Sequence, residues 1–199
     1  MNEKAEVRAE LGEQLDVAVI GAGPVGLMTA NLLGLAGLRV AVFERNHGPL
    51  GLPRAIAYDA ETLRLFAQIG LFADIGPGLV MDPEVRHLNA RGKALMVGQF
   101  AHGLYGHSPL GTFYQPEFER VLLKGLMRFG AVSVAFEHAV GALKQDEQGV
   151  TMTISTPDGE REVRAAYVVA CDGGTSGIRE RLGVKGLGDL IERRELPGG

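Results

Sequence analysis

A single cysteine, Cys171, stands in the 199 residues, so no intramolecular disulfide can form and a reducing compartment is expected. The five histidines (His47, His87, His102, His107 and His138) are scattered without ligand spacing. With no second cysteine to join them, they argue against a metal centre and against nucleophilic catalysis. No basic patch with interleaved aromatics occurs, and the net charge is −4 with a pI near 5.8, so nucleic acid is not an expected partner. Residues 1–14 are charged and lack the apolar run of a signal peptide; they read as a flexible tail. The longest apolar stretch, Val17 to Leu38, is broken by glycines, Pro24 and Asn31, which excludes a membrane span there. No internal repeat or linker is visible. The absences leave a soluble, cytoplasmic α/β protein with no membrane partner.

Glycine is present in excess: 29 residues, where ordinary usage is about 7%. The glycines lie at turns, the pattern of a fold with many tight strand–helix junctions. Asp16 to Ile20 is a β-branched run ended by Gly21, and it reads as a buried parallel strand. Gly26 to Ala36 suits a helix stopped by Gly37, and Arg39 to Phe43 a second buried strand, making one βαβ unit. After a loop from His47 to Pro53, a helix is expected from Ala60 to Gln68, with Asp59 as N-cap and Gly70 as stop. Val85 to Val97 reads as a hairpin turning at Ala90 to Lys93. Phe118, Val121, Leu122, Leu126 and Phe129 share one side of a helix over Glu117 to Arg128. Strands follow at Val132 to Phe136, Val140 to Gln145, Val150 to Ser155 and Glu160 to Arg164, the last three forming an antiparallel meander. Ala166 to Ala170 is one further buried strand. The expected fold is α/β and Rossmann-like: four parallel strands, an inserted meander and a small β-hairpin.

Two motifs carry chemistry. In Gly21-Ala22-Gly23-Pro24-Val25-Gly26, Gly21 permits a sharp turn, Gly23 leaves room for a pyrophosphate, and Gly26 lets the helix pack on the strand. The helix N-terminus offers unpaired N–H groups to phosphate. Glu44, at the end of the second strand, can accept hydrogen bonds from ribose hydroxyls and would repel a ribose phosphate. FAD and NAD both fit such a site, and NADP fits poorly. The second motif runs from Tyr167 through Asp172, Gly173 and Gly174 to Ser176 and Arg179. Ligands of parallel sheets gather at the carboxyl ends of the strands, which puts Asp172 on the edge of the glycine loop; an ordinary Asp-Gly turn is the alternative.

Together with Pro53-Arg54-Ala55 running into Asp59 to Leu65, and with Gln115-Pro116-Glu117-Phe118-Glu119-Arg120, these motifs resemble the FAD-dependent aromatic-ring hydroxylases of the para-hydroxybenzoate hydroxylase type. The chain resembles in particular the 3-(3-hydroxyphenyl)propionate hydroxylase group and related polyketide-tailoring oxygenases, from Leu15 to about Val184. The resemblance implies that Gly21, Gly23, Pro24, Val25, Gly26, Glu44 and Arg45 surround the ADP part of FAD. It puts Arg54 beside the flavin and pyrophosphate, and Gln115 on the phosphate or ribityl region. Asp172 and Gly173 would support the pyrophosphate and meet NADH or NADPH. The residues alone favour a solvated loop arginine for Arg54 and a helix-capping glutamine for Gln115.

The activity so implied is NAD(P)H-dependent hydroxylation of a phenolic or polyketide ring with molecular oxygen, through a flavin hydroperoxide. Residues 15–184 would form the FAD-binding domain, with 80–112 contributing to the substrate region. Homo-oligomers are compatible with this reading. Members of the group continue into a larger substrate sheet and a second, Gly-Asp-containing FAD motif, for which Gly188-Asp189 is a poor match; residues 185–199 are expected to be an irregular tail of a truncated chain. Loss of that sheet is expected to strip neighbours from Val85 to Val97 and from Val150 to Ser155. The alternatives are a catalytically silent nucleotide-binding module and an NAD-dependent dehydrogenase.

Overall fold

The structure is a computed structural model that describes residues 15–98 and 106–184. Its elements run β1 (Leu15–Ile20), α1 (Pro24–Leu35), β2 (Val40–Glu44), β3 (Ala57–Asp59), α2 (Ala60–Gln68), α3 (Phe72–Ile75) and β4 (Leu79–Met81). There follow β5 (Val85–Leu88), β6 (Ala94–Gly98), β7 (Leu110–Phe113), α4 (Gln115–Leu126) and β8 (Val132–Phe136). The last are β9 (Ala139–Asp146), β10 (Gly149–Thr156), β11 (Gly159–Ala170) and α5 (Gly177–Arg181). The expected tails, the Gly188-Asp189 pair and His102 lie outside the described residues.

The main sheet has six strands in the order β8-β2-β1-β11-β10-β9. The first four are parallel, as expected, and β9, β10 and the first half of β11 form the antiparallel meander. One feature differs from the sequence reading: Glu160 to Arg164 and Ala166 to Ala170 are one continuous strand. Residues 159–165 of β11 pair antiparallel with β10, and residues 165–170 pair parallel with β1. The change of pattern near Arg164 marks a change of neighbour, not a turn.

Alternation along the central strands sends side chains into two cores. Val17, Val19, Val40, Val42, Val132 and Val134 face α1, α2 and α4, where they meet Leu27, Phe66, Leu122 and Leu126. Ala18, Ile20, Ala41 and Phe43 face the other way and are covered by Met152, Ile154, Val163 and Ile178. Each buried Val, Leu, Ile, Phe or Met side chain among them contributes about 1.5–3 kcal/mol of transfer free energy. The expected loss of neighbours along Val150 to Ser155 is therefore not found: Met152 and Ile154 are fully buried, because the meander folds its inner face over the sheet.

Two helices begin earlier than the periodicity suggests. α1 starts at Pro24 and α4 at Gln115, each with proline in its first turn, where the missing N–H is not needed. The helices are cross-tied by fully buried Asn31. Its Nδ2 donates to the carbonyls of Leu27 (2.9 Å) and Leu122 (3.0 Å), and its Oδ1 accepts from Arg128 (3.2 Å). Arg128 also donates to the Ile69 and Gly125 carbonyls, tying in the turn after α2.

A small sheet, β3-β7-β4, was not expected; its strands of three or four residues are too short to show a period. The expected hairpin is present as β5-β6. No helix among the described residues is long and apolar enough to cross a membrane.

Candidate functional site

The carboxyl ends of β1, β2 and β11 meet the start of α4 and the loop after β2 around a cleft of about 580 Å³. Ten of the eleven expected site residues line it: Gly21, Gly23, Pro24, Val25, Glu44, Arg45, Arg54, Gln115, Asp172 and Gly173. The eleventh, Gly26, lies beneath.

The three motif glycines do different work. Gly21 has φ +105°, and a Cβ there would strike the Cys171 carbonyl, whose own N–H is bonded to the Ile20 oxygen. A Cβ on Gly26 would strike the Gly21 carbonyl. Both glycines are demanded by the close approach of strand ends and helix. Gly23 is not: its backbone is extended (φ −76°, ψ −179°), and a Cβ would meet nothing within 4 Å. The protein has no steric need of glycine there, and the open space lies at the first turn of α1. That turn has no side-chain cap and no acidic residue, so its unpaired N–H groups and positive dipole are available to an anion.

Glu44 is placed at the end of β2, as expected, with a second role that the sequence did not show. Its Oε2 accepts from the Ala22 N–H (2.9 Å), and Oε1 accepts from the backbone N–H (3.0 Å) and Nδ2 (2.6 Å) of Asn46. The carboxylate thus locks the glycine loop. An ionised carboxylate has about four acceptor positions, so these three bonds leave capacity for a ligand hydroxyl.

Gln115 does not cap its own helix. It is buried, and its Oε1 accepts from the backbone N–H groups of both Arg54 and Ala55 (2.8 Å each), while Nε2 donates to Glu119 Oε1 (2.7 Å). Arg54 itself is exposed at the cleft. On the β11 side, Asp172 Oδ2 accepts from the Ile178 N–H (3.3 Å), Gly173 has φ +89°, and Arg179 donates to the Gly174 carbonyl (2.8 Å). Burial pushes the Cys171 thiol up, opposed in part by a hydrogen bond with Thr29 and reinforced by the neighbouring Asp172 carboxylate.

Asn46 and Glu119 were not singled out from the sequence. The signal for Glu119 was its place four residues after Gln115, one helical turn on.

Residues 14–193 match the FAD binding domain family. The chain is 39% identical over 180 residues to a 3-(3-hydroxy-phenyl)propionate/3-hydroxycinnamic acid hydroxylase of Klebsiella pneumoniae subsp. pneumoniae, covering 90% of this chain and 32% of that protein. Among solved structures, p-nitrophenol 4-monooxygenase from Pseudomonas putida aligns with TM-score 0.79 and 33% identity over 85% of this chain and 44% of its own. Aklavinone-11 hydroxylase, solved with FAD and aklavinone, aligns with TM-score 0.76 and 28% identity over 86% and 35%. The chain therefore spans about a third of the length of the curated relative it matches.

Proposed function

Since this chain belongs to the FAD binding domain family, we propose that it is the FAD-binding part of an NAD(P)H-dependent flavoprotein monooxygenase acting on an aromatic ring. The observation that carries the cofactor assignment is Gly23, where the fold leaves open a position that it does not itself require to be glycine. The aromatic reaction rests on the relatives, which are named as a 3-(3-hydroxy-phenyl)propionate/3-hydroxycinnamic acid hydroxylase and an aklavinone-11 hydroxylase.

In this reading the loop Gly21 to Gly26 and the start of α1 hold the pyrophosphate. Glu44, pre-oriented by Ala22 and Asn46, accepts from a ribose hydroxyl. Arg54 supplies charge-assisted hydrogen bonds to phosphate oxygens, and Gln115 keeps one Nε2 hydrogen for the cofactor beyond its bond to Glu119. Asp172 and Gly173 close the edge where NADH or NADPH would approach. With FAD bound, the site gains two-electron redox chemistry and oxygen activation, which side chains cannot supply. Residues 15–184 form the FAD-binding domain, and 80–112 contribute to the substrate region, which takes a phenolic or polyketide ring with molecular oxygen as co-substrate.

Competition among dinucleotides tests the assignment. Immobilised chain should take up FAD in preference to NAD and should discriminate further against NADP, because the Glu44 carboxylate repels a ribose phosphate. Equal retention of NAD and FAD would favour a dehydrogenase, and retention of none would contradict the nucleotide assignment itself.

A further inference from the structure

Glu119 is nearly inaccessible to solvent (4%) and lines the cleft beside Gln115, which is equally enclosed. A buried carboxylate is costly unless hydrogen-bonded, and a leucine on α4 at this position would pack more cheaply. Its visible partner is Gln115 Nε2 at 2.7 Å.

The carboxamide of Gln115 lies between two unlike neighbours. On one side are two backbone donors, the N–H groups of Arg54 and Ala55; on the other is a pure acceptor, the Glu119 carboxylate. Only one orientation satisfies all three bonds. If the amide turned over, its NH₂ group would face two donors and its oxygen would face the carboxylate. The carboxylate therefore selects the orientation in which the amide oxygen grips the loop. That loop has few other holds: residues 50–57 are all exposed. The nearest backbone tie that follows is Phe113 N–H to the Ile56 carbonyl.

We propose that Glu119 is a positioning residue of the cofactor cleft: it fixes the Gln115 carboxamide, and through it the path of the loop that carries Arg54. The effect on FAD rests on the reading that this cleft takes FAD; the effect on the loop does not.

Hydrogen exchange resolved at single amides, read on the whole chain, tests the loop first. In Glu119→Met, which keeps bulk but offers no strong acceptor, the Arg54 and Ala55 amides should exchange at least roughly tenfold faster, the equivalent of one lost hydrogen bond. Amides of β1, β2 and the second half of α4 should be unchanged. Glu119→Gln can still offer a carbonyl oxygen to Gln115 and should restore protection at both amides. A flavin titration should then show FAD affinity weakened roughly several-fold in Glu119→Met and recovered in Glu119→Gln. Unchanged exchange at Arg54 and Ala55 in Glu119→Met would overturn the proposal. So would loss of protection across the whole chain, which would mean that the carboxylate merely stabilises the fold. If the exchange results hold but the parent chain takes up no FAD, the positioning role stands and the cofactor reading falls.

Discussion

The half built from β1, α1, β2, β8 and α4 and the segment from Leu79 to Gly98 are made of similar residues in opposite conditions. In the first, Val19, Val42, Leu27 and Leu122 are fully buried between layers. In the second, Leu88, Leu95, Met96 and Val97 are all more than half exposed on a two-stranded ribbon, with no further layer on it among the described residues. A hairpin alone is marginal in water, whereas a sheet covered on both faces is not. The cleft therefore stands on the half whose side chains are buried between layers. The hairpin's apolar side chains, by contrast, contribute little to the stability of these residues.

The largest effect should follow from Gly26→Ala. The new methyl would press on the Gly21 carbonyl, which neither helix nor strand can yield. A loss of about 3 kcal/mol or more is expected in a urea titration. A cost below about 1 kcal/mol would mean that the helix can slide on the strand.

Next is Asn31→Leu, which removes the bonds to Leu27 and Leu122 and leaves Arg128 one acceptor short. At about 1 kcal/mol for each of the three hydrogen bonds, the same titration should register a loss of about 3 kcal/mol. Leu95→Thr on the hairpin should change stability by less than about 0.5 kcal/mol. If those two variants cost the same, the contrast between the regions is wrong.

The smallest effect is electrostatic. The Arg39 side chain, helped by the Arg39 backbone N–H, holds the Asp16 carboxyl down at about 2 from an ordinary 3.8. A depressed carboxyl contributes stability that is complete above the unfolded value and fades as pH falls from about 3.8 to about 2. Thermal melts of the parent and of Asp16→Asn should therefore differ at pH 6 and converge near pH 2. A gap that widens in acid would contradict the sign.

The same contrast explains how much was legible. β1, β2 and β8 announce themselves as β-branched runs, and the two-fold and 3.6-fold periods are strong wherever a layer covers them. β11 was split because its first five residues carry charge on an open edge and its last five are apolar beside β1; the absence of any glycine or proline between Arg164 and Ala166 was the signal of continuity. β3, β4 and β7 were invisible because three or four residues cannot display a period. The glycine loop, Glu44 and Asp172 were legible from motif spacing, and Arg54 and Gln115 from the family resemblance, but the hydrogen bonding of the cleft was legible from neither. That Gln115 grips Arg54 and Ala55, and that Glu44 grips Ala22, depends on chain segments separated by 22 to 61 residues.

The central claim is that the position opposite Gly23 belongs to a ligand and not to the fold. Calorimetric titration of FAD, and of ADP alone, into Gly23→Val and the parent tests it most directly. Because residue 23 has extended backbone and an open Cβ direction, the variant should fold with stability within about 1 kcal/mol of the parent. It should nonetheless bind both ligands roughly a hundredfold more weakly, about 2.8 kcal/mol. Equal affinity of the two proteins for FAD and ADP would contradict the account.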